Sequence, residues 1–230
     1  MQRMIEFPTA FWVSQYTIRF AFQEEISAEN SRNVRLFRTF LQQALSADLL
    51  EVVASYATVT AYVKRKVALQ PLREQWYAQQ ASIEVSVSHT PIQIPLCYDE
   101  EFALDMQRVM DYTGLAYEQI KQLHLAKVYR VYVIGFLPGF PYLGELAEAL
   151  FVPRLAKPRQ RVAASSVGIG GAQTGIYPLD SPGGWNIIGK TPLKLFQMQR
   201  AQPFLLDVGD CIQFYEITKA EFRQMEVNSY

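Results

Sequence analysis

The glycine residues of this chain are concentrated in one part of the sequence. Of the 12 glycines in 230 residues, ten lie between Gly135 and Gly189, and none precedes Gly114. Six prolines lie in the same stretch. Glycine permits backbone conformations that a Cβ atom forbids, and proline fixes φ. A chain that concentrates both residue types shapes its backbone there, commonly around a ligand or a partner, so residues 135–191 are the predicted functional region.

Composition and charge argue against several classes of protein. The 22 Lys and Arg residues balance the 22 Asp and Glu residues, so the surface has no general attraction for nucleic acid or for an anionic membrane. Half of the chain is hydrophobic, which is enough for a sizeable core. No apolar run approaches the roughly 20 residues of a membrane-spanning helix, and no secretory signal is visible. The two cysteines lie far apart in sequence, so a reducing cytoplasm is the expected location.

The first part of the chain lacks glycine and alternates between strand-like and helix-like patterns. Apolar residues recur at strand or helix spacing in the order β-α-β-β-α-β, at Ile18–Phe22, Val34–Leu45, Leu49–Val53, Thr58–Val63, Pro71–Trp76 and Ile83–Val87. This order is typical of a ferredoxin-like α/β domain, which we predict for residues 1–88. It contains no distinctive chemical motif, so a docking or structural role is favoured.

The second part, residues 89–230, has a different organisation. It begins with a strand at Ile92–Leu96 and two helical stretches, and beyond Val128 it consists of short β-like runs separated by glycine and proline. Many short strands with turn signals favour a closed or sandwiched β architecture. The predicted fold class is therefore α+β.

One motif in the glycine-rich region matches a phosphate-binding loop in letters. Residues 184–191 read GWNIIGKT, which fits G-x-x-x-x-G-K-[ST]. A P-loop requires a helix that opens at its lysine, but Pro192 follows Thr191 directly and the next residues alternate like a strand. We therefore interpret the segment as a buried strand, and the chain contains no recognisable nucleotide motif.

The histidines offer little for metal binding. His89 and His124 are the two histidines in the chain, and no cysteine pair has short spacing, so no metal site is predicted. His124 ends a predicted helix just before the glycine-rich region. It has either a structural role at the helix terminus or an acid–base role as a neutral imidazole, and we name it as the candidate catalytic residue.

Basic and hydrogen-bonding residues follow within the glycine-rich region. Arg154, Lys157, Arg159 and Arg161 form either a solvated loop or a binding site for a carboxylate or phosphate. Trp185 is either a core residue or a platform for a ligand. The candidate substrate-binding residues are Arg154, Arg159, Gln173, Thr174 and Tyr177. The candidate pocket-shaping residues are Gly139, Gly170, Gly171, Gly183, Gly184 and Trp185.

Several of these strings also carry a family resemblance. They are IPLCY (residues 94–98), GFLPGFPYLG (135–144), PRLAKPR (153–159), SVGIGGAQTGIYP (166–178), SPGGWNIIGKT (181–191) and the pair Gly209-Asp210. In this order they closely resemble the KipI/PxpB family, whose members are named as the B subunit of 5-oxoprolinase, as kinase inhibitor KipI or as allophanate hydrolase subunit 1.

The resemblance implies a fold and an activity. It implies a cyclophilin-like β-barrel of the carboxyltransferase C/D type over residues 89–230, and a heteromeric complex with PxpC-type and PxpA-type subunits. That complex cleaves 5-oxoproline to glutamate with hydrolysis of ATP, which acts with magnesium at the level of the complex, and this chain alone is expected to be inactive. Two alternatives remain: inhibition of a sensor histidine kinase, and a role within a carboxyltransferase that acts on urea or a similar amide.

Overall fold

The computed structural model describes residues 4–25, 27–83 and 90–227. The chain divides into two compact units, Met1–Val87 and Ser88–Tyr230. The predicted domain boundary between residues 88 and 89 lies outside the described residues.

The first unit is a four-stranded antiparallel sheet with two helices. Its elements are β1 (Thr9–Ser14), β2 (Thr17–Ala21), α1 (Ala28–Ala44), β3 (Leu49–Ala54), β4 (Thr58–Val63) and α2 (Leu69–Gln79), followed by a 3₁₀ turn at Gln80–Ser82. The Ser27 side chain caps α1 by accepting a hydrogen bond from the Asn30 amide. Buried aromatic residues, among them Phe37, Phe40 and Trp76, pack in one cluster with the apolar side chains of β2 and β4.

The sheet order in this unit is β1-β2-β4-β3. The predicted strands β2, β3 and β4 and both predicted helices are confirmed. The sequence patterns did not predict β1, which forms a hairpin with β2 and lies at the edge of the sheet. The predicted last strand includes Val85 and Val87, which lie outside the described residues, so the ferredoxin-like topology stays a prediction.

The second unit combines three helices with nine strands in the part of the chain that is described. Its elements are β5 (Ile92–Leu96), α3 (Met106–Thr113), α4 (Tyr117–Leu125), β6 (Val128–Ile134), β7 (Pro141–Leu143), β8 (Arg159–Val162), β9 (Ser166–Gly170), β10 (Gln173–Ile176), β11 (Ser181–Gly183), β12 (Asn186–Lys190), β13 (Cys211–Glu216) and α5 (Lys219–Val227). A short 3₁₀ helix spans Glu148–Leu150.

Seven of these strands form one sheet that closes on itself. Their order is β12-β9-β10-β7-β6-β13-β5, in which β13 and β5 are parallel and the other neighbours are antiparallel. The two edges meet because Cys97, next to β5, exchanges backbone hydrogen bonds of 2.9 Å in both directions with Lys190 of β12. The result is a nearly closed barrel, which is one of the two architectures, closed or sandwiched, that the sequence patterns favour, and which is consistent with a cyclophilin-like barrel. Strands β8 and β11 form a separate antiparallel pair.

Polar contacts attach the start of helix α3 to strand β12. The Asp105 amide donates to the Ile187 carbonyl, and the Ile187 amide donates to the Asp105 carboxylate at 2.7 Å. One turn later, Arg108 Nε donates to the side-chain oxygen of Asn186 at 3.0 Å. These contacts hold the beginning of β12 in place, and with it Trp185, the residue that precedes the strand.

Candidate functional site

A cavity of about 390 Å³ lies in the second unit, at the place where the glycine-rich segments meet. Three stretches of chain contribute to its wall: the turn between β6 and β7, the loop before β8, and the segment that contains β11. The lining residues are Phe136, Leu137, Phe140, Tyr142, Arg154, Leu155, Pro158, Tyr177, Ser181, Pro182, Gly183, Gly184 and Trp185. This volume and this mostly apolar wall with a few polar groups are typical of a small-molecule site.

Arg154 provides the positive charge of the cavity. Its guanidinium lies over the Trp185 ring, 5.4 Å from the ring centroid, and no carboxylate pairs with it among the residues that the structure describes. The Trp185 side chain is buried, and its indole packs so closely on Gly170 that a Cβ there would lie 2.8 Å from the ring. An arginine stacked on an indole is held in place while its N–H donors stay available for an anion.

Ser181 provides a second polar group. It is only 6% exposed and lines the cavity, and its hydroxyl has no hydrogen-bond partner within the described part of the chain. A buried hydroxyl without a partner is unfavourable unless water or a ligand satisfies it. Sequence reasoning missed this residue because the string DSPGG is typical of a turn, and a turn pattern does not show which side chain is buried.

Tyr177 forms the floor beneath β11. Its side chain is buried, and a Cβ added at Gly183 would overlap its hydroxyl, so only glycine fits at that position. Burial raises the pKa of Tyr177, although a backbone hydrogen bond from Trp185 and the charge of Arg154 act in the opposite direction. Tyr177 therefore stays a neutral phenol that shapes the cavity next to Arg154.

Arg159, the other arginine predicted to hold substrate charge, has a different environment. Its guanidinium makes two hydrogen bonds to the Asp105 carboxylate, at 2.6 and 2.8 Å, and it does not line the cavity. Asp105 is buried and also accepts the Ile187 amide. Arg159 therefore joins β8 to the start of α3, and Arg154 is the arginine that lines the cavity.

The predicted site residues form two groups, those around the cavity and those away from it. Arg154, Tyr177, Gly183, Gly184 and Trp185 lie together around the cavity, and Gly170 lies beneath the indole. The predicted residues that do not line the cavity are His124, Arg159, Gln173, Thr174, Gly139 and Gly171. No observation assigns a role in binding to the residues of this second group, so those roles stay predictions.

His124, in the last turn of α4, is fully buried, and both of its ring nitrogens make hydrogen bonds. Its Nε2 lies 3.0 Å from the Thr174 hydroxyl, which donates its own hydrogen to the Gly168 carbonyl. Nε2 must therefore be the donor, and Nδ1 accepts from the Tyr98 hydroxyl at 2.8 Å. The ring also stacks on Phe214. This geometry favours the structural interpretation of His124, and its catalytic role stays a prediction.

The burial of His124 predicts a loss of stability in acid. Burial lowers the pKa of His124 to about 3, whereas an unfolded histidine titrates near 6.5. Below about pH 6.5 the unfolded chain therefore binds a proton that the folded chain does not. The free energy of unfolding should fall by up to about 1.4 kcal/mol for each pH unit between about pH 6 and pH 3 on account of this group.

Urea denaturation at several pH values between 7 and 4 measures this effect. The His124→Gln variant should have a shallower dependence on pH than the wild type, although its stability at pH 7 is lower. His89→Gln, which replaces the other histidine, serves as the control for the rest of the titration. Equal slopes for the wild type and His124→Gln would contradict the predicted burial of a neutral imidazole.

The segment that resembles a phosphate-binding loop is a strand. Asn186–Lys190 forms β12, as predicted, and Lys190 Nζ lies over the rings of Phe102 and Phe222, at 5.8 and 5.7 Å from their centroids. No helix opens at Lys190, so these residues do not fit a triphosphate. Within residues 4–25, 27–83 and 90–227, no group of three or more His, Cys, Asp or Glu side chains could hold a metal ion, and no helix could span a membrane.

Comparison with known proteins places this chain in a family. Residues 8–206 match the model of the carboxyltransferase domain, subdomain C and D. The 5-oxoprolinase B subunit of Haemophilus influenzae is 42% identical over 189 residues, which cover 82% of this chain and 88% of the relative. The protein of the same name from Bacillus subtilis is 32% identical over 221 residues, covering 90% of this chain and 92% of the relative.

Solved structures share the fold of this chain. The structure of TTHA0988 matches with a TM-score of 0.76 at 36% identity, and the match covers 87% of this chain and 40% of that longer one. The urea amidolyase of K. lactis shares the fold, with a TM-score of 0.74 at 18% identity over 96% of this chain and 15% of its own length. From the match across residues 8–206 and the identity to proteins named as 5-oxoprolinase B subunits, we conclude that this chain belongs to the KipI/PxpB family.

Proposed function

We propose that this chain is the B subunit of an ATP-dependent 5-oxoprolinase and that its cavity binds 5-oxoproline. Relatives that carry this name support the proposal. The observation that carries it for the site is the position of Arg154, whose charge has no carboxylate partner in the described chain and lies on Trp185 in an apolar cavity. 5-Oxoproline is a small carboxylate on a flat lactam ring, and such a site complements it in charge and in shape.

Each part of the ligand would find a matching group. Arg154 would bind the carboxylate through charge-assisted hydrogen bonds. The Ser181 hydroxyl would donate to or accept from the lactam amide, which would satisfy a group that is otherwise buried without a partner in the described chain. The aromatic wall of Phe140, Tyr142 and Trp185 would contact the ring. This chain would therefore bind and orient the substrate.

The energy of the reaction would come from outside these residues. An unstrained lactam resists hydrolysis, so cleavage would be coupled to ATP hydrolysis. The strand at Asn186–Lys190 does not fit a triphosphate. We therefore assign ATP and magnesium to the assembled complex of this chain with PxpC-type and PxpA-type subunits. We place this complex in the cytoplasm. This chain alone would then be inactive.

Reconstitution tests this function directly. The measurement is ATP-dependent release of glutamate from 5-oxoproline by this chain with its PxpC-type and PxpA-type partners, and by each mixture that lacks one component. We expect activity in the full mixture and none when this chain is omitted. An assembled complex that releases no glutamate would refute the assignment.

The alternative functions are tested with the same purified chain. Kinase inhibition predicts that the chain lowers the autophosphorylation of a sensor histidine kinase. A role within a carboxyltransferase predicts turnover of urea or a similar amide in place of 5-oxoproline. The similarity to urea amidolyase supports the shared fold alone, so the carboxyltransferase role stays secondary to the oxoprolinase proposal. Kinase inhibition stays secondary because it rests on the family resemblance alone.

A further inference from the structure

The turn between β6 and β7 holds Phe136 in a backbone conformation that an aromatic residue rarely adopts. Phe136 has a φ of 67°, in the left-handed region, and the Leu137 amide donates to the Gly135 carbonyl across it at 2.8 Å. A hydrogen bond between residues i and i+2 around a positive φ defines a strained form of the γ-turn. Glycine would adopt this backbone without the steric conflict that a Cβ atom introduces.

The side chain of Phe136 makes few packing contacts that could offset this strain. It is 62% exposed, and its ring touches Phe140 edge-on at a centroid distance of 5.7 Å. A fold that needed only a turn here would be more stable with glycine at this position. Strained residues persist where their side chains serve a site, and Phe136 lines the cavity that holds Arg154 and Ser181.

We propose that Phe136 is a ligand-contacting residue that makes the cavity selective for small carboxylates with a compact, ring-shaped apolar body. The turn presents the Phe136 ring at the cavity mouth, where it covers the body of the ligand. The carboxylate of the ligand lies at Arg154, and the Ser181 hydroxyl forms a hydrogen bond with a second polar group of the ligand. The identification of that ligand as 5-oxoproline rests on the proposed function, whereas the ligand class rests on these three residues.

Two substitutions at the same position separate the ring from the backbone. Phe136→Ala removes the ring and keeps the strain, and Phe136→Gly removes the ring and releases the strain. Calorimetry on the full chain and on the assembled complex would measure binding of 5-oxo-L-proline, cyclopentanecarboxylate and the uncharged cyclopentanecarboxamide. We expect both variants to bind the two carboxylates about tenfold more weakly than the wild type, and the carboxamide to bind poorly to all three proteins.

Unlike ligand binding, stability should differ between the two Phe136 variants. Alanine to glycine normally destabilises a protein, but at a positive φ the order reverses, so Phe136→Gly should melt about 2–4 °C above Phe136→Ala. Glu145 provides the matched control because it has a φ of 70°, is exposed and does not line the cavity. Glu145→Gly should likewise melt above Glu145→Ala, and both should bind the carboxylates like the wild type.

The outcomes distinguish this inference from the proposed function. Wild-type affinity in both Phe136 variants would overturn the role of Phe136. If cyclopentanecarboxylate bound neither to the wild-type chain nor to its complex, the ligand class would be overturned even if the complex is an active 5-oxoprolinase. Binding of cyclopentanecarboxylate that depends on Phe136, in a complex that does not cleave 5-oxoproline, would support the inference and refute the proposed function.

Discussion

Replacing Arg154 with alanine is expected to lower the kcat/KM of the assembled complex for 5-oxoproline by roughly 10- to 100-fold. The reason is that Arg154 lines the cavity without a carboxylate partner in the described chain and stacks on the Trp185 ring. Removing it leaves the carboxylate of the ligand without its charge-assisted hydrogen bonds in a largely apolar site. Steady-state glutamate release measures the effect.

Three other variants make the Arg154 result specific. Arg154→Lys keeps the charge but loses the planar pair of donors, so its activity should lie between the wild type and Arg154→Ala. Arg161→Ala is the control, because Arg161 is exposed, pairs with Asp180 at 2.6 Å and does not line the cavity, so activity should be unchanged. Arg159→Ala should act through stability. If Arg154→Ala were fully active while Arg159→Ala bound substrate poorly at full stability, the assignment of substrate charge to Arg154 would be wrong.

Replacing Asp105 with alanine is expected to cause the largest loss of stability, about 3 kcal/mol in the free energy of unfolding. The buried Asp105 carboxylate accepts two hydrogen bonds from Arg159 and one from the Ile187 amide. Its removal leaves a buried amide and a partly buried guanidinium without their partner. Urea denaturation followed by tryptophan fluorescence measures the change, because Trp185 directly precedes the strand that Asp105 holds.

An exposed ion pair in the same unit provides the comparison. Asp180 accepts from Arg161, but both side chains are largely exposed, so Asp180→Ala should cost no more than about 1 kcal/mol. Asp105→Asn should lie between the two, because it keeps an acceptor but loses the charge. Equal stabilities of Asp105→Ala and Asp180→Ala would show that the buried Asp105 carboxylate does not hold α3 to β8 and β12.

Much of the architecture could be predicted from local patterns. Apolar alternation predicted β2, β3 and β4, and helical spacing predicted α1. Pro192, directly after Thr191, argued against a phosphate-binding loop. β1 was missed because its strand-like residues lie in an N-terminal segment whose pairing depends on β2. Barrel closure also lay beyond local patterns, since it depends on the hydrogen bonds between Cys97 and Lys190, which are far apart in sequence.

The candidate site divides in the same way. Arg154, Tyr177, Gly183, Gly184 and Trp185 were named from the sequence and lie around one cavity. Arg154 and Arg159 could not be told apart from their neighbours in sequence, because the partner that engages Arg159 is Asp105, 54 positions away.

Local sequence was enough to identify the family, and it predicted a functional region and the kinds of residue in it. Motif strings and glycine placement are local properties that can be read along the chain. Tertiary contacts were needed to show which arginine lines the cavity, that the His124 side chain is buried, and that Ser181 and Phe136 line the same cavity. This division arises because burial and pairing are set by residues that are distant along the chain, and these properties determine whether a charge or a hydroxyl is available to a ligand.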